Sequence, residues 1–301
     1  MREGVAMRRV AALGTGIMGA PMARNLAGAG FEVAVWNRSA EKAARLSDVA
    51  QVASSAAEAV ADAEGVITML TSGPAVEEVL LGGALPEAAP GALFVDMSSI
   101  EPDRARRIAA ALADRGARAM DAPVSGGEKG AIAGTLAIMA GGESADFEAA
   151  APLFAPLGRA TLVGGHGAGQ TAKLANQIIV GVSIGAVAEA LMLAERGGCD
   201  PAAVREAMLG GFAGGPILET HGARMVKGDY APGGTSAIQL KDLENALAAA
   251  GAAGVSLPLT ERTRAAYAAL AGDLGLGDRD QAAYRLWLDA INRASSPSSG
   301  A

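Results

Sequence analysis

The chain has 301 residues, half of them hydrophobic, and a formal net charge of −7. That length exceeds one ordinary core and fits two domains, and the composition excludes a disordered chain. An acidic balance with only 3% aromatic residues leaves neither a basic footprint for a phosphate backbone nor stacking platforms for single strands, so nucleic acid is excluded as a partner.

The first six residues read as an extension ahead of Met7, and the apolar run before Gly14 is too short for a signal peptide. From there β-branched runs alternate with Ala-rich stretches. "RRVAAL" precedes a Gly loop and the helix "APMARNLAGAG"; "FEVAVW" precedes "SAEKAARLS"; "GVITML", "ALFVDMSS" and "ARAMDAP" continue the series. "EPDRARRIAAALADRG" lies between the last two and opens with a proline in its first turn, as helices do. "TLAIMAGG" and "ATLVGG" read as two closing strands. This alternation predicts a parallel sheet with helices on both faces.

Beyond residue 165 the pattern becomes helical throughout. A single long helix is expected from Gly169 to Arg196, stopped by Gly197-Gly198, with Asp200-Pro201 starting the next as cap and first residue. "PILETHGARMVKG", "AIQLKDLENALAAAGAAG", "PLTERTRAAYAALAG" and "DRDQAAYRLWLDAINR" follow with helical periodicity. The expected architecture is an α/β Rossmann-type domain at 1–165 and an all-α domain at 166–295, joined by the long helix. A disordered tail is expected at 296–301. The one cysteine, Cys199, supports no disulfide framework or metal site, and a cytoplasmic location is expected. The apolar run Ala175–Ala188 is interrupted by Gly181, Ser183 and Gly185, so no membrane span is expected.

Gly14-Thr15-Gly16-Ile17-Met18-Gly19 falls between the first strand and the first helix, where a dinucleotide fingerprint belongs. The first glycine permits the tight turn, the second a close approach of the pyrophosphate, and the third close packing of helix on strand. At the end of the second strand an NAD site places an acid for the ribose hydroxyls. Asn37-Arg38-Ser39 stand there instead, and a guanidinium suits a 2′-phosphate. NADP is therefore favoured over NAD, against the plainer reading of an exposed loop arginine. Met69-Leu70 end another strand and either line the adenine side or pack in the core.

Ligands of open parallel sheets bind beyond the carboxyl ends of strands. Ser98-Ser99 and Ser125-Gly126-Gly127 lie at such ends, the second group either a backbone nest for a carboxylate or a plain glycine turn. Lys173 shares a helix face with Asn176 and Gln177. Desolvation makes such a lysine a usable proton donor and acceptor, while the alternative is a lysine snorkelling from a helix edge. His166 and His221 lack spaced partners for a metal or triad and read as loop or helix-surface residues.

Together "GTGIMGAPMARNLAGAG", "DMSSI", "DAPVSGG", "GAGQTAKLANQ" and the "KDL" at Lys241–Leu243 resemble the β-hydroxyacid dehydrogenase family over nearly the whole chain. That family includes 3-hydroxyisobutyrate dehydrogenases, tartronate semialdehyde reductases and glyoxylate/succinic semialdehyde reductases. The resemblance implies Lys173 as acid/base with Asn176 beside it, and Ser125, Gly126 and Gly127 on the substrate carboxylate; Gln177, on the same helix face, is a further substrate-binding candidate. It further implies Ser99 and Lys241 at the cofactor, Asp242 ordering the site, and a homodimer or homotetramer built through the helical domain. Its implied reaction is hydride transfer between NADPH and a small carboxylate-bearing aldehyde or 2-oxoacid: tartronate semialdehyde, succinic semialdehyde, glyoxylate or methylmalonate semialdehyde.

The chain departs from the family where Gly234 stands in place of a frequent Phe and where Gly214-Gly215-Pro216 replace small polar residues. The tartronate branch commonly uses NADH, whereas Asn37-Arg38-Ser39 resembles the NADPH-using glyoxylate reductases. Two other functions fit the same cofactor cleft: an imine reductase, in which the lysine is usually replaced, and a non-catalytic NADP-binding regulator, which has no need of the proton donor.

Overall fold

The computed structural model describes residues 7–294, so the extension at 1–6 and the tail at 296–301 lie outside the described residues. The chain divides into two compact units, the first ending at Lys173 and the second starting at Leu174.

The first unit is a Rossmann-type α/β structure. In chain order it runs β1 (Arg9–Leu13), α1 (Gly19–Gly28), β2 (Glu32–Trp36), α2 (Ala40–Ala44), β3 (Gln51–Val52), α3 (Ala56–Val60), β4 (Gly65–Thr68) and α4 (Gly73–Glu77). It continues with β5 (Leu93–Asp96), α5 (Pro102–Ala113), β6 (Arg118–Asp121), β7 (Val124–Ser125), α6 (Gly127–Ala133), β8 (Leu136–Gly142), α7 (Ser144–Phe154) and β9 (Gly158–Gly164). The sheet order is β3-β2-β1-β4-β5-β6-β8-β7, with β9 also on β8. Successive side chains of β1 feed opposite faces. Val10 and Ala12 join Met22 and Leu26 in one core, while Ala11 and Leu13 join Val60 and Phe94 in the other. Helices consequently cover both sides.

The sheet is parallel from β3 to β6, as the alternation of elements predicts, but β8 runs antiparallel to β6 and β7. The chain reverses after the short α6, at Gly134 in a left-handed conformation (φ 66°). A Cβ there would meet the Pro156 carbonyl oxygen at 2.5 Å, so only glycine turns this corner. α5 begins on Pro102 as expected. The segment "SAEKAARLS" yields only the five-residue α2. Between β4 and β5 the chain adds α4 and a π-helical stretch, Glu78–Ala84, that periodicity did not announce.

The second unit is helical. α8 (Ala168–Arg196) is continuous over 29 residues, its first turns belonging to the first unit and the remainder to the second. It is followed by α9 (Pro201–Leu209), α10 (Ala223–Lys227), α11 (Ser236–Ala252), α12 (Pro258–Ala271) and α13 (Tyr284–Ala294). Asp200 caps α9 by accepting from the Ala202 N–H at 2.9 Å. The core gathers Ile184, Ala188 and Leu191 of α8 with Leu243, Ala266, Leu270 and the fully buried Tyr267. Tyr267 meets the Tyr284 ring edge-on at 5.3 Å and donates to the Gln281 carbonyl at 3.2 Å. Glycine within α8 permits these approaches, for Cβ atoms at Gly181 and Gly185 would reach Gln239 at 2.5 Å and Tyr284 at 3.2 Å.

Among the described residues α8 is long and apolar enough to cross a membrane by length and composition. The burial of Ile184, Ala188 and Leu191 accounts for part of that apolarity. His221 departs from the surface position expected of it. It is half-buried, in a second π-helical stretch, with Nδ1 3.3 Å from the buried Asp280 carboxylate. Burial alone would raise the Asp280 carboxyl. His221, the Ala282 N–H and Arg224 outweigh burial and hold it below its ordinary value.

Candidate active site

The glycine loop is shaped by steric necessity at two of its three glycines. Gly14 has φ 101°, and a Cβ on it would lie 2.4 Å from the Met69 carbonyl oxygen. A Cβ on Gly19 would lie 1.9 Å from the Gly14 carbonyl oxygen. At Gly16 no described residue other than its chain neighbours stands within 4 Å of the same position, so its bareness serves approach from outside. α1 has no side-chain cap and no acid in its first turn, which leaves its N-terminus attractive to an anion. Thr15 is buried and its hydroxyl has no partner among the described residues. These features fit the pyrophosphate of a dinucleotide: Gly14 to Gly19 would hold it, and the orphaned Thr15 hydroxyl is available to it.

Asn37 organises this loop. Its Oδ1 accepts from the Thr15 N–H at 3.1 Å, and its Nδ2 donates to the Ser39 carbonyl at 3.1 Å. Arg38 and Ser39 are exposed beside it at the end of β2. Met69 and Leu70, just beyond β4, are half-buried against Gly14.

A chain of buried polar groups runs along the carboxyl ends of β4, β5 and β6. Thr68 Oγ1 and the Ser98 N–H both donate to Asp96 Oδ1, at 2.7 and 3.0 Å. Ser98 Oγ accepts from the Leu70 N–H at 2.9 Å, so this serine fixes the loop. The Ser98 carbonyl accepts from Gln170 Nε2 at 2.8 Å, while Gln170 Oε1 accepts from the Ile100 N–H at 3.0 Å. Ser99, half-buried, is thus held in a loop clamped on both sides. Asp121 closes the chain, its two oxygens accepting from the Gly167 N–H at 2.7 Å and the Gln170 N–H at 2.8 Å. A carboxylate there caps the start of α8 and meets its positive end.

Ser125 is half-buried at the end of β7. Gly126 and Gly127 follow at φ 141° and 61°, conformations that L side chains resist, and they lead into α6. Lys173 is only 9% exposed on α8, just under one turn past the Gln170 clamp. Asn176 follows one turn later and is half-buried.

In the second unit Gln177 donates from Nε2 to Asp242 Oδ2 at 2.8 Å and to Gln239 Oε1 at 3.2 Å. Asn176 Nδ2 donates to Gln177 Oε1 at 2.9 Å. Lys241 Nζ lies 3.1 Å from Asp242 Oδ1. Gly234 lies elsewhere in this unit, where a Cβ would meet Gln281 Nε2 at 2.8 Å. A larger residue there must displace that amide. The Gly214 position is equally confined, with the Leu209 carbonyl oxygen 2.2 Å from its would-be Cβ.

Sequence reasoning passed over Asp121, Gln170 and Gln239. Gln170 sat within the quoted helix motif one turn before Lys173, which was its available signal. Asp121 was visible only as the first residue of "DAPVSGG". Nothing in spacing marked Gln239.

Two titrations follow from this burial. Desolvation raises the Asp121 carboxyl, against the N–H bonds from Gly167 and Gln170. Desolvation likewise raises Asp96 from 3.8 to about 6, helped by the nearby Asp121 charge. Between those values the folded state keeps a proton on Asp96 that the unfolded chain has lost. Stability is therefore expected to be highest below 3.8 with respect to this group and to decline as pH rises through about 6. Chemical denaturation across that window is expected to show the wild type losing stability relative to Asp96→Asn as pH rises, while the share of Asp121 remains in both. An unchanged slope in the variant would refute the assignment.

Residues 9–165 match the family described as the NAD binding domain of 6-phosphogluconate dehydrogenase. Residues 167–287 match the one described as NAD-binding of NADP-dependent 3-hydroxyisobutyrate dehydrogenase. The 2-hydroxy-3-oxopropionate reductase of Escherichia coli K12 is 48% identical over 242 residues, 79% of this chain and 82% of that protein. The 3-hydroxyisobutyrate dehydrogenase of Pseudomonas aeruginosa is 39% identical, over 81% of this chain and 86% of that one. A structure of the Mycobacterium tuberculosis 3-hydroxyisobutyrate dehydrogenase with L-serine superposes with a TM-score of 0.86 at 36% identity. It covers 94% of this chain and 99% of that one.

Proposed function

The chain belongs to the β-hydroxyacid dehydrogenase family, as an NAD(P)-dependent oxidoreductase acting on small hydroxy acids, and on that footing we propose an NADP-dependent enzyme with Lys173 as its general acid/base. The substrate class proposed is a small carboxylate-bearing aldehyde or 2-oxoacid and its hydroxy acid. Tartronate semialdehyde, which is 2-hydroxy-3-oxopropionate, heads that class because of the 48% identity to the E. coli reductase. Glyoxylate, succinic semialdehyde and methylmalonate semialdehyde follow. The L-serine in the mycobacterial structure is a molecule of the same size, bearing a carboxylate and a hydroxyl.

The observation that carries the reading is the burial of Lys173 on α8, where Asp121 and Gln170 fix the start of that helix. A lysine that snorkels needs an exposed stem-end, and a 9% exposed residue offers little of one. When bound, the nicotinamide supplies or accepts the hydride. Lys173 Nζ gives its proton to the carbonyl oxygen as alkoxide charge develops and takes it back in the oxidative direction. The Ser125 hydroxyl and the N–H groups of the Gly126-Gly127 turn hold the substrate carboxylate. That carboxylate also brings negative charge to a helix that has no acid between Ala168 and Ala188.

The preference for NADP rests on Arg38, exposed at the end of β2 with no acid beside it. Asn37 is engaged with Thr15 and Ser39, which leaves the guanidinium as the principal group for a 2′-phosphate. Self-association is proposed through α8 of the helical unit. Ala175, Ile179, Ala186, Ala190 and Leu193 form an exposed stripe along it, with Ile179 67% and Leu193 76% exposed.

Three measurements check these points. Lys173→Ala is expected to lower kcat on 2-hydroxy-3-oxopropionate about 10² to 10⁴-fold while NADPH binding persists; near wild-type turnover would defeat the mechanism. Fluorescence titration is expected to give tighter binding of NADPH than NADH, and Arg38→Asp to shift that ratio about tenfold or more toward NADH; equal wild-type affinities would end the cofactor assignment. Sedimentation is expected to show a dimer or larger species that Ile179→Glu with Leu193→Glu weakens, whereas a wild-type monomer would refute the interface.

A further inference from the structure

We propose that Gln239 is a positioning residue, which orients the amides of Gln177 and Asn176 and through them the surroundings of the acid/base lysine. The proposal rests on the reading of Lys173 given above.

Hydrogen-bond polarity sets the direction of each amide in this cluster. Asp242 is 1% exposed, and an ionised carboxylate can only accept. The bond from Gln177 to Asp242 Oδ2 at 2.8 Å therefore requires the NH₂ end of the Gln177 amide. Gln239 Oε1 accepts the other Gln177 hydrogen at 3.2 Å. Gln239 Nε2 in turn donates to the Gln177 main-chain carbonyl at 3.0 Å, so Gln239 holds the same residue by both backbone and side chain. With both Nε2 hydrogens committed, Gln177 presents Oε1 to Asn176, whose Nδ2 donates to it at 2.9 Å. The direction of every amide in this chain is thus set from Asp242 and Gln239 outward. Asn176 sits one helical turn beyond Lys173.

The helix is built to admit this contact. Gln239 is fully buried. A Cβ at Gly181 would lie 2.5 Å from Gln239 Nε2, so any larger residue must displace that amide, and the glycine stands at a mid-helix position where alanine is ordinarily the more favourable residue. A glutamine amide with no role beyond filling the core needs neither that opening nor two bonds to one residue of the neighbouring helix. Loss of Gln239 leaves Asp242 still holding one Gln177 hydrogen, but frees the amide to rotate about that bond. The Asn176 amide then loses its fixed acceptor.

Gln239→Leu keeps the volume and removes both bonds. With 2-hydroxy-3-oxopropionate and NADPH it is expected to lower kcat about 10 to 100-fold with little change in KM. Side-chain amide exchange of Asn176 and Gln177, read by NMR on protein labelled at asparagine and glutamine, is expected to accelerate and needs no substrate. Gly181→Ala, which presses on Gln239 from α8, should move both readouts in the same direction and serves if Gln239→Leu fails to fold. A merely structural role would lower the melting temperature and leave both kcat per folded molecule and amide exchange unchanged. That result overturns the proposal, as does a kcat loss without faster Asn176 exchange. Full turnover by Lys173→Ala would instead overturn the acid/base assignment, whatever the exchange rates of the Gln239 variant.

Discussion

The Asp121 carboxylate is the anchor on which the arrangement depends. It stands at the end of β6 and accepts from two N–H groups at the start of α8, Gly167 and Gln170. Those donors have no partners within the helix, and a buried N–H without an acceptor is costly. One carboxylate satisfies both and adds the attraction of an anion for the helix N-terminus. Because Gln170 then grips the 98–100 loop through both ends of its amide, the same anchor orders the carboxyl end of β5. Lys173 inherits its place from this. It lies on a helix whose start cannot slide or rotate without breaking bonds to two strand ends.

Close approach, repeatedly secured by glycine, is the second constraint. Gly14 and Gly19 bring strand, loop and helix into contact at the phosphate loop, while Gly16 is open to the outside. Gly181 and Gly185 do similar work in the helical unit, one admitting the Gln239 amide and the other the Tyr284 ring. The many glycines therefore divide into those that make contacts inside the protein and those that leave room for something else. Only the folded arrangement separates the two kinds. Gly234 illustrates the difficulty: by comparison with the family it is a missing Phe, but in the fold it faces the Gln281 amide.

What was legible in the sequence was local. The alternation of β-branched and Ala-rich runs indicated a doubly wound sheet, since side-chain periodicity reports directly on which faces are buried. The glycine loop between β1 and α1 was recognisable because its spacing and its setting coincide. α8 was read to within a residue at either end, helped by the Gly197-Gly198 stop. What escaped notice was either too short to carry a period or dependent on distant partners. β3 and β7 have two residues each. The antiparallel return of β8 depends on a single left-handed glycine. His221 has no partner within its own stretch of chain, and its carboxylate, Asp280, lies far along the sequence.

The sequence by itself determined the class of the molecule, the cofactor fold and the position of the lysine, because periodicity, turn chemistry and residue type act over a few neighbouring residues. Tertiary structure alone decided which buried polar side chains meet. Asp121 to Gln170 and Gln239 to Gln177 are pairings across long separations, where hydrogen-bond polarity and burial settle each partner's orientation. No periodicity encodes such pairings. They come into being only when the folded backbone brings a buried donor to the one acceptor that can satisfy it.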